Sequence, residues 1–215
     1  LLERQNTYHP VADWIRSVPW DGVDRFEDLW RTINIREEAA THVDVYRAML
    51  RAWMVTGAKM ALLPLDATKS LEAHGVLVLQ GRQGCGKTKW LSKLVPDGLD
   101  FVATGVHLDP GQKDSVDAAT RYWLVELGEI DSTLRRSDIA MLKAFLTNSR
   151  DQYRGAYERK VEKHIRRTFF AASVNEVNFL KDTTGNRRFW TIPVESMGWR
   201  PDDPFRIGDI DRQQL

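Results

Sequence analysis

Gly81-Arg82-Gln83-Gly84-Cys85-Gly86-Lys87-Thr88 satisfies every fixed position of the phosphate-binding pattern G-x-x-x-x-G-K-[ST]. The residues ahead of it, Val76-Leu77-Val78-Leu79-Gln80, form a short apolar run that reads as a buried parallel strand. Behind it, 87–94 has helical composition, with Trp90, Leu91 and Leu94 apolar, and stops before Pro96. Strand, glycine turn and helix follow in the order the motif requires. Gly81, Gly84 and Gly86 allow the backbone to curl around a diphosphate at positive φ. The loop N–H groups and the helix start then face the anion. Lys87 is expected to reach the β- and γ-phosphates and Thr88 to ligate Mg²⁺. Residues Gly81, Arg82, Gln83, Gly84, Cys85, Gly86, Lys87 and Thr88 are therefore the candidate site for ATP and Mg²⁺.

The composition excludes several classes. At 215 residues the chain holds one good core, or one domain with a smaller helical extension. A net charge of +1 provides no global basic field, so any nucleic-acid surface must be local. The only cysteine, Cys85, excludes an intramolecular disulfide and a CxxC zinc site. The five histidines are scattered and match no metal-ligand spacing, which leaves a metal-hydrolase or nuclease reading poor. No run reaches membrane-spanning length and no signal-peptide pattern is present, so the expectation is a cytoplasmic protein with no membrane partner.

Periodicity divides the chain. Residues 1–66 read as an N-terminal helical subdomain, and 67–215 as an α/β core built around the phosphate loop. Pro10 suits a first helical turn, with Val11, Trp14, Ile15 and Val18 as one stripe; Phe26, Leu29 and Trp30 begin a second helix. A long helix is expected over 37–63, carrying Val43, Tyr46, Leu50, Trp53, Met54, Gly57 and Ala61 on one side. After the loop, strands are expected at 101–103, 122–127, 168–174 and 188–194, a helix at 135–147 and a hairpin within 150–163.

The strand Tyr122-Trp123-Leu124-Val125-Glu126-Leu127 leads into Gly128-Glu129 and delivers two carboxylates at its C-terminal end. Ligands of open parallel sheets gather at that end. One carboxylate is expected to hold Mg²⁺ and the other to orient or deprotonate water; Glu126 is assigned to the metal and Glu129 to the water, with the reverse division open. Asn175, ending the strand 169–174, is the candidate sensor of the γ-phosphate, although an ordinary turn asparagine is the competing reading. Arg187 and Arg188 are either surface charges or the cation that neutralises charge during phosphoryl transfer, in cis or from a neighbouring subunit.

Taken together these residues resemble the virulence-associated E family, phage- and island-encoded ATPases similar to superfamily 3 helicases and primase–helicase C-terminal domains. The likeness is carried by Tyr8-His9-Pro10-Val11, Trp20-Asp21-Gly22, the loop Gly81–Thr88, Val125-Glu126-Leu127-Gly128-Glu129, Leu142-Lys143-Ala144-Phe145-Leu146 and Gly185-Asn186-Arg187-Arg188-Phe189-Trp190. It implies a P-loop AAA+/RecA-type parallel sheet of order 5-1-4-3-2 sandwiched by helices. It also implies ATP hydrolysis between subunits of a homo-oligomeric ring, a hexamer, with Arg187 or Arg188 as the arginine finger. The acids are spaced E-x-x-E and not adjacent, which departs from the simplest pattern. Relatives continue beyond Leu215, so a C-terminal part is expected to be missing.

Residues 150–167 hold seven basic side chains against three acidic ones, with Tyr153 and Tyr157 interleaved. Arg154, Arg159, Lys160 and Lys163 are the candidate nucleic-acid contacts, through phosphates with aromatic stacking on bases; a solvated charged hairpin is the alternative. Superfamily 3 helicases use a hairpin in this place. The leading expectation is an ATP-dependent DNA helicase or translocase of phage replication, acting on single-stranded or forked DNA and working with a primase or replication initiator. A non-motor loading or regulatory ATPase is the first alternative, and a small-molecule P-loop kinase the second.

Overall fold

A computed structural model of the protein describes residues 9–64, 71, 75–128, 136–153, 162–175 and 186–215. Its strands are Ile33–Ile35 (β1), Val76–Gln80 (β2), Val102–Val106 (β3), Leu124–Leu127 (β4), Arg150–Tyr153 (β5), Glu162–Ile165 (β6), Phe169–Val174 (β7) and Phe189–Met197 (β8). Its helices are Pro10–Arg16 (α1), Phe26–Arg31 (α2), Val43–Leu62 (α3), Lys87–Ser92 (α4), Lys113–Ala119 (α5) and Arg136–Thr147 (α6). The strand expected at 101–103 extends to Val106, and α5 was not expected at all.

β2 is buried along its whole length, as a five-residue apolar run flanked by parallel neighbours must be. It pairs in parallel with β7 on one side and β8 on the other. The full sheet has six strands in the order β1-β8-β2-β7-β4-β3, which is not the expected 5-1-4-3-2. The difference is β1, which comes from the N-terminal region read as wholly helical and lies antiparallel on the β8 edge. Three residues between helices are too few to announce a strand by alternation. Without β1, the strands of this sheet numbered along the chain lie in the sequence fifth, first, fourth, third, second. β5 and β6 form a separate antiparallel ladder, with Arg150 opposite Ile165 and Tyr153 opposite Glu162.

Alternation along the strands divides the core in two. Leu77, Leu79, Leu124, Phe169, Ala171 and Ile192 pack on the side of α2, α3 and α4, against Leu29, Leu50, Trp53, Met60, Trp90 and Leu91. Val78, Val125, Leu127, Phe170 and Ala172 pack on the other side, against Ala119 of α5 and Leu142, Phe145 and Leu146 of α6. Gly57 matters here: a Cβ at that position would lie 2.6 Å from the Phe169 ring, so only glycine allows α3 to approach β7 so closely. Trp53 Nε1 donates to Phe170 O at 2.7 Å and Trp123 Nε1 to Gly57 O at 2.9 Å, so a buried and a half-buried indole stitch helix to sheet through main-chain acceptors. Two helical expectations are corrected. Residues 37–42 form a 3₁₀ turn ahead of α3, and Val18 is exposed because α1 ends at Arg16. No helix among the described residues is long and apolar enough to cross a membrane.

Candidate nucleotide site

The loop between β2 and α4 is shaped by its glycines. Gly84 and Gly86 take φ of 81° and 101°, values that side-chain-bearing residues rarely adopt. Gly81 has a different reason: a Cβ there would lie 2.5 Å from Val194 O of β8. Gly81 N also donates to Val174 O at 3.1 Å, so the loop leaves the sheet clamped between both neighbours of β2.

Lys87 opens α4 and turns back into the loop. Its ammonium donates to Gly81 O at 2.6 Å, Arg82 O at 2.9 Å and Asn175 Oδ1 at 3.1 Å. Thr88, the next residue, donates its hydroxyl to Glu126 Oε1 at 3.0 Å. The other carboxylate oxygen of Glu126 accepts the Gly105 N–H at 2.6 Å. That amide is aimed by an irregularity in β3, where the register with β4 shifts between Ala103 and Val106 and Gly105 takes φ of 68°. Glu126 is almost fully buried, and its two hydrogen bonds hold an acid in place at the C-terminal ends of the strands.

Lys87, Thr88, Glu126 and Asn175 share one cavity of about 400 Å³, together with Gln83, Gly84, Gly86, Lys89, Gly105, Gly128, Ser173 and Trp199. The predicted residues Gln83, Gly84, Gly86, Lys87, Thr88, Glu126 and Asn175 are thus brought together. Arg82 and Cys85 line an adjoining cavity on the β8 side, where Arg82 pairs with Glu195 at 3.1 Å. Thr88 and Glu126 offer two hard oxygen donors side by side, a set suited to Mg²⁺, which binds through one or two protein oxygens and completes its shell with water and phosphate. No group of three or more His, Cys, Asp or Glu side chains suited to a metal exists among the described residues.

Arg187 and Arg188 are not brought to this cavity. They precede β8, whose first residue Phe189 pairs with Val76 at the start of β2, whereas the loop leaves the far end at Gln80. At about 3.3 Å per strand residue the separation is roughly 16 Å. Arg187 is exposed and its carbonyl accepts the Trp190 indole N–H at 3.1 Å; Arg188 Nε is buried without a hydrogen-bond partner among the described residues. Glu129, Arg154, Arg159 and Lys160 lie outside the described residues, and Lys163 is placed on β6 opposite Gln152. Two other cations of the basic segment are structural. Arg166 is buried, donating to Phe145 O at 2.6 Å with its guanidinium 4.1 Å from the Phe145 ring centroid. Arg167 donates to Met60 O, Ala61 O, Leu63 O and Pro64 O at the end of α3.

Sequence reasoning missed Ser173, Gly105 and Trp199. Ser173 Oγ is buried without a partner among the described residues and lines the cavity. Its signal was available, since it precedes Asn175 by two and strand residues two apart share a face. Trp199 had none, because only the return of the chain after β8 brings it to the loop.

A phosphate-loop geometry at the C-terminal edge of a parallel sheet defines the class of site. The chain belongs to the virulence-associated protein E-like domain family, whose model matches residues 15–214. Among solved structures it resembles the C-terminal region of NrS-1. An A-form apo structure of that region matches with a TM-score of 0.55 at 13% identity, over 94% of this chain and 46% of that one. An apo structure of NrS-1 residues 305–718 matches with a TM-score of 0.53 at 14% identity, over 94% and 50%. At such identities the likeness is one of fold. This chain spans about half the length of those NrS-1 chains. No curated protein matches the sequence.

Proposed function

We propose that the chain is a P-loop ATPase of the AAA+/RecA type that acts as a DNA helicase or translocase in phage or prophage replication, hydrolysing ATP between the subunits of a ring. The observation that carries the ATPase reading is the convergence of Lys87, the Thr88–Glu126 pair and Asn175 on one cavity beside the Gly81–Thr88 loop. In its role there, Lys87 exchanges its carbonyl acceptors for the β- and γ-phosphate oxygens. Thr88 and Glu126 would hold Mg²⁺, which would offset the negative charge of the phosphates. Asn175 orients the attacking water beside the γ-phosphate, and Glu129 is the residue assigned to take its proton.

The distance of Arg187 and Arg188 from the loop of their own chain supports a finger that serves a neighbouring subunit, since a side chain of at most about 7 Å cannot span roughly 16 Å. The role in replication rests on the family and on the fold shared with NrS-1. The β5–β6 ladder, with Lys163 on β6 and Arg154, Arg159 and Lys160 between the strands in sequence, supports a channel hairpin for single-stranded or forked DNA.

The test is ATP hydrolysis with and without single-stranded DNA, on the parent chain and on Arg187→Ala and Arg188→Ala. One arginine variant should bind ATP but not hydrolyse it, and mixing it with a Lys87→Ala chain should restore part of the activity. Failure of every mixture refutes the inter-subunit site. Full turnover unaffected by DNA refutes the translocase and favours a kinase. DNA stimulation without displacement of a forked strand favours a loading ATPase.

A further inference from the structure

The phosphate cavity accounts for a triphosphate and its metal but assigns no place to a nucleobase. A second cavity of about 320 Å³ adjoins it, lined by Arg82, Cys85, Glu195, Ser196, Arg200 and Asp203. The two share Gln83, Gly84 and Trp199, so a single groove runs along the loop with an indole at its midpoint. We infer that Trp199 is the nucleobase platform of this site, stacking a purine whose phosphates lie against Lys87. This inference rests on the nucleotide-binding reading and goes beyond it by naming the residue that recognises the base.

Three observations carry it. First, Trp199 is only partly buried and sits directly on Gly86, where any Cβ would run into the indole. Gly86 thus does two things: it takes a left-handed φ and it leaves room for a flat ring beside the loop. Second, the backbone that carries the indole is anchored. The Trp199 main-chain N–H donates to Asp203 Oδ2 at 2.8 Å, and that oxygen also accepts from Arg200 N at 2.6 Å. Gly198 N donates to Thr32 O at 2.6 Å and Ile207 N to Gly198 O at 3.0 Å, so the chain on the N-terminal side of Trp199 is anchored to α2 and to the C-terminal segment. A platform held before binding loses little entropy when a base stacks on it. Third, charged groups surround the ring: Arg82 and Glu195, paired at 3.1 Å, Asp203, and Arg200, whose guanidinium carbon lies over the indole 5.6 Å from its centroid, so a stacked base would have polar partners at its edge and would share the ring with that cation or displace it.

The test is calorimetric titration of ATP, CTP and inorganic tripolyphosphate, each with Mg²⁺, into the parent chain, Trp199→Phe and Trp199→Leu. Leucine keeps apolar volume over Gly86 without a π-face, and thermal melts of both variants establish that they fold. Trp199→Leu should weaken ATP about tenfold, within the range of one base–aromatic stack, while tripolyphosphate affinity stays the same. Trp199→Phe should recover most of the ATP affinity, and any preference for ATP over CTP should shrink in the leucine variant. Equal weakening of ATP and tripolyphosphate would show that Trp199 only shapes the loop, and unchanged ATP binding in Trp199→Leu would show that the base lies elsewhere; either overturns the platform. Absence of tripolyphosphate and ATP binding in the parent chain would instead overturn the triphosphate site on which the platform depends.

Discussion

Two places in this molecule hold a buried cation on main-chain carbonyls, and they differ in what lies on the other side of the charge. At the loop end of the sheet, Lys87 is bound by Gly81 O and Arg82 O and looks into an open cavity. Beyond the α6 and α3 ends, Arg166 and Arg167 are bound by carbonyls of the last helical turns, and Arg166 is closed over by Phe145 and Phe170. Carbonyls at a helix C-terminus lack intrahelical donors and form the negative end of the helix dipole, so a cation there completes the fold. The loop carbonyls need no such permanent partner, because water or an anion-linked cation can replace it within the cavity. A buried charge marks a ligand site only where its removal leaves room for something else.

The strongest way to break this contrast is Lys87→Ala. On the proposed function, ATP hydrolysis should fall by about 100-fold or more, as when one electrostatic stabiliser of a transition state is lost, while stability should change by less than about 1 kcal/mol. Activity assays and thermal melts of the same preparation check both halves; a large drop in melting temperature would make Lys87 as structural as the arginines. Arg166→Met should show the opposite pattern. Loss of a charge-assisted bond and a stacked guanidinium in the core should cost about 2–3 kcal/mol, or about 6–10 °C in melting temperature for a domain of this size. Arg167→Ala should cost less, about 1–2 kcal/mol, because its guanidinium remains partly solvated, and the loss should localise to the end of α3 by amide hydrogen exchange.

A smaller effect belongs to the same region. His9 caps α1, its Nδ1 accepting the Ala12 N–H at 3.1 Å, and burial together with the nearby Arg167 charge holds the imidazole below its ordinary value of 6.5. Protonation is therefore favoured in the unfolded chain. The stabilisation is fully present above pH 6.5 and is lost as pH falls from there through the folded-state value. A His9→Asn variant keeps a cap without this titration, so its melting temperature should fall less than that of the parent as pH drops below 6.5. Parallel pH profiles of the two chains decide it. Arg167→Ala, by removing a repelling charge, should bring the His9 transition nearer its ordinary position.

How much of this was legible beforehand varied with the range of the interaction concerned. The β2–loop–α4 unit and the face of α3 formed by Leu50, Trp53, Gly57 and Ala61 follow from neighbours within a turn or two, and so does a hairpin opening at residue 150, although its partner strand runs on to Ile165. Glu126 and Asn175 were legible because strands of a parallel sheet deliver their C-terminal residues to one edge. β1 was not, since three residues acquire strand character only from the β8 edge they lie on. Nor were the duties of Arg166 and Arg167, which in sequence are indistinguishable from the charges around them.

From the amino-acid order alone came the phosphate loop, its flanking strand and helix, the acids and amide that follow, and the family resemblance. Each depends on local stereochemistry: glycine φ values, period-two and period-3.6 patterns, and residue types at fixed spacing. Only the tertiary structure separated cations that face a cavity from those that seal helix ends, set Arg187 and Arg188 a strand's length from their own loop, and laid Trp199 on Gly86. Such facts arise where segments distant in the chain meet, and no local propensity encodes which side of a folded sheet a given charge or ring will occupy.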